Sequence, residues 1–194
     1  RQLLKPLMSI PGNQEKAEFD HRQFLQRVAE LRVKGFPQHE LQSWNFDADD
    51  GANEKLTKVA HNYVDNFAEF RKKGKGLLLF GNVGTGKTFY AACIANGLID
   101  KGKSCLVTNF ARLVNTISGM YEGKQEYLDE LSRYSLLIID DLAAERDTEY
   151  MNEIVLNISD SRYRAGLPII VTTNLTADEI KNPADIRKQR TYSR

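Results

Sequence analysis

Eight consecutive residues carry the most specific chemistry in the chain: Gly81-Asn82-Val83-Gly84-Thr85-Gly86-Lys87-Thr88. Gly81, Gly84 and Gly86 free the backbone for conformations closed to residues with a Cβ, so that successive N–H groups can turn inward around a triphosphate. Lys87 supplies a point charge for the β- and γ-phosphates, and the Thr88 hydroxyl stands where Mg²⁺ is held. Ahead of the loop lies the apolar run Leu77-Leu78-Leu79-Phe80. After it Phe89, Ala91, Ala92, Ala95, Leu98 and Ile99 recur at helical spacing, and Gly102 fits a left-handed C-terminal cap. A buried strand before and a helix after separate a phosphate-binding loop from a Gly-rich turn with a surface lysine, and the helix adds its positive dipole end to the same anion. ATP and Mg²⁺ are the expected ligands, with Gly81 through Phe89 around the nucleotide.

Two further stretches complete the chemistry. Leu136-Leu137-Ile138-Ile139-Asp140-Asp141 is an apolar strand ending in two carboxylates, at the strand end where open α/β sheets bind ligands. Asp140 is expected to hold Mg²⁺ with Thr88, directly or through water, and Asp141 to orient or deprotonate the attacking water. Ile169-Ile170-Val171-Thr172-Thr173-Asn174 is a second buried strand, ending in hydroxyls and an amide.

The elements that must position these groups follow from the apolar pattern. Strands are expected at Leu77 to Phe80, Ser104 to Thr108, Leu136 to Ile139 and Pro168 to Thr173, separated by helical patterns such as Phe110 to Met120 and Thr148 to Arg164. Strands alternating with helices predict a parallel sheet with helices on both faces, an α/β fold, and the unbroken apolar runs are what doubly covered strands require. Upstream, Asn53 caps a helix predicted to run to Gly74 through Leu56, Val59, Ala60, Tyr63, Phe67 and Phe70. The basic run Arg71-Lys72-Lys73-Gly74-Lys75 closes it, where cations suit the helix dipole. Trp44 and Phe46 form an aromatic cluster without helical period; such residues can wall an adenine pocket, and core packing explains them equally well. A first helix over Glu15 to Lys34 carries a narrow stripe of Phe24, Leu25, Val28 and Leu31, which reads as packing on its own domain or docking on a partner.

Composition bounds the alternatives. The 194 residues carry 27 Lys and Arg against 26 Asp and Glu, so no global field drives the chain onto nucleic acid and any such contact is local. No apolar run has the length of a membrane span and no signal peptide is apparent, which points to the cytoplasm and no membrane. Cys93 and Cys105 read as buried free thiols. The chain starts at Arg1 rather than Met, as a fragment would.

Taken together, the loop, Leu136 to Leu142 and Val171-Thr172-Thr173-Asn174-Leu175 resemble the DnaC/DnaI-type helicase-loader branch of the AAA+ ATPases, and its sister group, the IstB transposition helpers. The resemblance covers roughly Gly35 to the end. It implies an AAA+ three-layer core of the additional-strand P-loop class over residues 35–194, with residues 1–34 as a helical partner-binding segment or linker. The family's fifth strand, which flanks the first, has no counterpart, so four strands are expected. By the resemblance Asn174 serves as the polar sensor beside the γ-phosphate, with Thr173 as competitor. Arg194 matches the first arginine of the motif that reaches a neighbour's ATP, with Arg187 and Arg190 as rivals. Strong ATPases of the class carry Glu where this chain has Asp141, one methylene shorter, which implies slow or assembly-dependent hydrolysis.

The implied partners are a replicative helicase, single-stranded DNA and further copies of the chain, with ATP between subunits. Tyr121, Lys124, Tyr127 and Arg133 supply aromatic and cationic groups of the kind used for single strands, and a solvated helix pair explains them as well. An IstB-like transposition helper shares every motif. A small-molecule kinase calls for an Arg-rich lid that the sequence lacks, and a nucleotide-switched adaptor that never hydrolyses is the non-enzymatic alternative.

Overall fold

The computed structural model describes residues 13–142 and 149–181. Its centre is a parallel sheet of β1 (Leu77–Phe80), β2 (Cys105–Asn109), β3 (Leu136–Leu142) and β4 (Ile169–Thr173), in the order β1-β4-β3-β2. Alternate side chains of each strand enter different layers, as the two-residue period demands. Leu79, Cys105, Val107, Leu136, Ile138 and Ile170 join one apolar cluster, whereas Leu106, Leu137, Ile139 and Leu142 join the other. Leu136 through Ile139 are 0% exposed, so β3 is the spine of the domain. Burying each such side chain stabilises the fold by ~1.5–3 kcal/mol.

The first layer is built by α1 (Asn13–Gly35), α2 (Glu54–Asp65), α3 (Phe67–Lys72) and α4 (Lys87–Asp100); the second by α5 (Phe110–Ser118), α6 (Lys124–Leu131) and α7 (Glu149–Arg164). A short α8 (Ala177–Lys181) follows β4. Helix α4 is the most deeply set, with Ala92, Cys93, Ile94, Ala95, Leu98 and Ile99 fully buried. It ends as its sequence predicts: Gly102 takes φ +71°, and the Lys103 N–H reaches back to the Leu98 carbonyl at 3.0 Å.

Two local expectations are corrected. The helix predicted from Asn53 to Gly74 is capped by Asn53, whose side chain accepts from the Leu56 N–H, but it breaks at Asn66 (φ −105°, ψ 21°). The Asn66 amide donates to both the Asn62 carbonyl (3.2 Å) and the Asn62 side chain (2.8 Å), a local competitor to the helical ladder. In α1 only the C-terminal half of the apolar stripe meets the core. Val28 is buried and Leu31 packs beside it, while Phe24 and Leu25 are 42% and 51% exposed. Arg32 fastens this end by donating to Asn96 (3.1 Å) and pairing with Asp100.

Close approach dictates Gly76, just ahead of β1: a Cβ there would stand 1.7 Å from the Ile169 carbonyl oxygen, inside the β1–β4 pairing. The basic run Arg71 to Lys75 precedes β1 and so lies at the N-terminal end of the parallel sheet, opposite the loop that follows β1. Both cysteines are free and buried, and burial pushes each thiol up to about 12. Among the described residues the largest fully buried side chain is Arg162 of α7, whose guanidinium donates to the carbonyls of Leu131 (2.7 Å), Tyr134 (3.1 Å) and Pro168 (2.8 Å).

Candidate nucleotide site

Among the described residues, the groups assigned to nucleotide chemistry lie at the C-terminal ends of the parallel strands. The loop leaves β1 and enters α4 with Gly84 at φ +81° and Gly86 at φ +83°, the latter as N-cap of the helix. The first backbone N–H groups of α4 therefore lack intrahelical partners and are available to an anion. Lys87 is 8% exposed, and its ammonium donates to the carbonyls of Gly81 (2.9 Å) and Asn82 (2.8 Å). Val83 at the loop's crest is 82% exposed.

Across from the loop, the Thr88 hydroxyl donates to the Asp140 carboxylate, 3.0 Å from Oδ1 and 3.1 Å from Oδ2. Next to it the chain departs from regular strand. Ile139 pairs with Val171 and Leu142 with Thr173, three steps along β3 against two along β4. The extra residue makes a bulge, and Asp141 takes φ +57°, a left-handed conformation that Asp tolerates better than most residues. This turn leaves Asp141 exposed beside Asn174, whose amide donates to Asp141 Oδ1 at 3.2 Å. Thr173 points elsewhere: it is 0% exposed and its hydroxyl donates to the Leu142 carbonyl at 2.7 Å.

An open cleft of about 420 Å³ joins these parts, lined by Val83 through Phe89, Asp140, Asp141, Thr172, Asn174 and Trp44. Trp44 thus borders the cleft, its ring centroid 6.0 Å from that of Phe89, while Phe46 stacks on His61 at 4.0 Å and packs into the first layer. A second pocket of about 360 Å³ adjoins the loop, lined by Asp49, Asp50, Asn53, Gly84 to Gly86, Phe89 and Tyr90 among others. Asp49 holds its wall together: its carboxylate accepts from the Thr57 hydroxyl (2.6 Å) and the Tyr90 phenol (2.8 Å). The Thr57 bond leads the causes that lower the pKa of Asp49, and burial leads those that raise that of Tyr90.

Sequence reasoning missed Thr172, Tyr90, Thr57 and Asp49. Only Thr172 had an available signal, since period-two alternation puts Thr172 and Asn174 on one side and Thr173 on the other. Of the four residues named for stacking and charge near α6, Tyr121, Lys124 and Arg133 are exposed, whereas Tyr127 packs against the second apolar layer. Arg187, Arg190 and Arg194 lie outside the described residues. No helix among the described residues is long and apolar enough to cross a membrane.

Comparison with known proteins places the chain in a family. Residues 5–183 match the family described as IstB-like ATP binding protein. The chain belongs to that family. Its relatives include the replicative helicase loader DnaI of Bacillus subtilis (strain 168), 32% identical over 113 residues, 57% of this chain and 36% of DnaI. The replicative helicase loader DnaC of Escherichia coli (strain K12) is 29% identical over 135 residues, 68% of this chain and 54% of DnaC. The chain thus spans about a third to just over half of these two relatives. Among solved structures, DnaI aligns with a TM-score of 0.67 at 25% identity, covering 81% of this chain and 89% of that one. The replication initiator DnaA bound to AMPPCP and single-stranded DNA shares the fold, with a TM-score of 0.64 at 16% identity, covering 76% of this chain and 47% of that one. The three-layer parallel core is therefore an AAA+ fold, and its described sheet has four strands.

Proposed function

We propose that the chain is the ATPase module of a helicase loader in the cytoplasm. It binds ATP with Mg²⁺, hydrolyses it slowly, assembles with ATP between subunits, and in the ATP state holds single-stranded DNA for a replicative helicase. One observation carries the ATPase part: the loop, Thr88, Asp140, Asp141 and Asn174 converge on one cleft. That the relatives DnaI and DnaC are replicative helicase loaders supports the loader part.

Thr88 and Asp140 fit Mg²⁺, because they offer hard oxygen donors at one spot. That ion is held by one or two such groups plus substrate phosphates rather than by an all-protein cage. When bound it would neutralise charge on the transferring phosphoryl group. The chain's own residues do the rest. Lys87 exchanges its loop carbonyls for phosphate oxygens, Asp141 orients or deprotonates water, and Asn174 holds the Asp141 carboxylate in place. With the phosphates at the Asp140 end, base and ribose extend past Phe89 toward Asn53 and Tyr90.

Lys87→Ala is expected to abolish stabilisation by Mg-ATP, since the triphosphate loses the only cation of the loop. A ligand at about a hundred times its Kd stabilises a binding-competent protein by ~2.7 kcal/mol, so thermal unfolding with and without Mg-ATP reads the loss directly. Equal stabilisation of parent and variant would end the phosphate-loop assignment.

The family match also supports an IstB-like transposition helper. Affinity for single-stranded and duplex DNA, each with ATP and with ADP at one fixed salt concentration, separates the two readings. A loader tightens on single strands with ATP, and by reciprocity single strands tighten ATP by the same factor. A transposition helper favours duplex. Equal affinity in all four conditions would defeat both and leave the adaptor.

A further inference from the structure

The bulge in β3 takes the Asp141 backbone N–H out of regular pairing, and a single side chain answers both that group and the neighbouring Asp140 carboxylate. Thr172 is in register with Leu79 of β1 and sits between Val171 and Thr173, the two β4 residues whose pairing with β3 brackets the bulge. Its hydroxyl accepts from the Asp141 backbone N–H at 2.9 Å and donates to Asp140 Oδ1 at 2.6 Å. The residue is 1% exposed. One hydroxyl offers one donor and two acceptor positions, so this pair of bonds uses its proton fully and fixes its rotamer.

We infer that Thr172 is a positioning residue for the metal-dependent half of the site. Its hydroxyl fixes the Asp140 carboxylate for the cation and pins the left-handed turn that aims Asp141. The bonds around Asp140 would respond differently to a bound cation. The Thr88 oxygen would offer a lone pair to the cation, so the geometry of its bond to Asp140 would have to adjust. The Thr172 bond comes from the opposite strand and need not change. Asp140 therefore keeps one fixed oxygen in both states, and the rotation a free carboxylate would have to lose is already lost. A valine of the same shape would fill the space, yet it would leave the Asp141 N–H without its acceptor and Asp140 held by Thr88 alone. Partners of this kind, one step behind a metal ligand, typically change metal affinity or activity by 10–100-fold when removed.

This inference rests on the ATPase reading, so its test separates the two. Mn²⁺ binding is followed by the paramagnetic signal of the free ion, in the presence of a non-hydrolysable ATP analogue and with uptake by the analogue alone subtracted, for the parent, Thr172→Val and Thr172→Ser. The parent should bind Mn²⁺ only with nucleotide. Thr172→Val should bind it about tenfold or more weakly, with nucleotide affinity in EDTA unchanged, and Thr172→Ser should recover to within a few-fold of the parent. Turnover should follow the same order, with the Mg²⁺ dependence of Thr172→Val displaced to higher concentration. Should Thr172→Val fold poorly, Thr172→Cys, close in volume but with a much weaker donor, must show the same displacement. Parent-like Mn²⁺ affinity in either folded variant overturns the inference. A parent that binds no Mn²⁺ with nucleotide overturns the ATPase reading itself.

Discussion

Asp141→Asn is expected to hydrolyse ATP 10²–10⁴-fold more slowly than the parent while folding normally and binding Mg-ATP as tightly. The amide cannot take a proton from water, which removes general-base assistance. Everything else at the position survives. Asn tolerates the left-handed backbone at least as well as Asp, so φ +57° carries no new strain. The amide oxygen can still accept from Asn174, and the backbone N–H can still donate to Thr172. Asp140 and Thr88, which hold the cation, are untouched. The substitution thus separates binding from turnover. Single-turnover hydrolysis at saturating Mg-ATP, alongside thermal unfolding with the same ligand, reads both. An unchanged rate would move the base to another residue, and lost stabilisation by Mg-ATP would mean that Asp141 contributes to binding.

The parts of this site that were legible in the sequence are those encoded locally. A phosphate loop is one continuous segment whose glycines, lysine and threonine each have a local reason, and an apolar strand ending in Asp140-Asp141 needs no distant partner to be recognised. The same holds for Asn53 as a cap and Gly102 as a terminator. What escaped was set by register between strands. Nothing within Leu136 to Leu142 announces a bulge, because the bulge exists only against β4; the left-handed turn at Asp141 and the task of Thr172 were hidden with it. Asp49 stands with Asp47 and Asp50, where the sequence alone marks no partner for any of them. Its bonds to Thr57 and Tyr90 depend on α2 and α4 lying side by side, a tertiary fact. The break at Asn66 was hidden differently, since the apolar spacing continues smoothly through it and only the side-chain amide competes with the helix.

Arg162→Ala is expected to cost about 4 kcal/mol of stability, a large share of the ~5–15 kcal/mol that holds a domain of this kind together. The side chain is 1% exposed and ties three places with one group: the end of α6 at Leu131, the turn before β3 at Tyr134, and the entry to β4 at Pro168. Truncation leaves those carbonyls without donors, at ~1–3 kcal/mol each where water cannot reach, and adds a void where the stem had packed. Sequence pattern hides the residue, because an arginine in the last turn of a helix reads as a surface complement to the dipole. Burial lowers its pKa to about 10, with desolvation as the leading cause. A base whose folded pKa is depressed gains stability only as pH climbs past that value. Between about pH 6 and 9 the group is charged in both folded and unfolded states, so the loss should be flat across that window. Arg162→Lys should recover little of it, since one ammonium cannot span three carbonyls set for a planar fork. Urea unfolding at several pH values measures all of this. A loss below about 1 kcal/mol, or full recovery by lysine, would show that the three carbonyls find other donors and that Arg162 is not the tie between these elements.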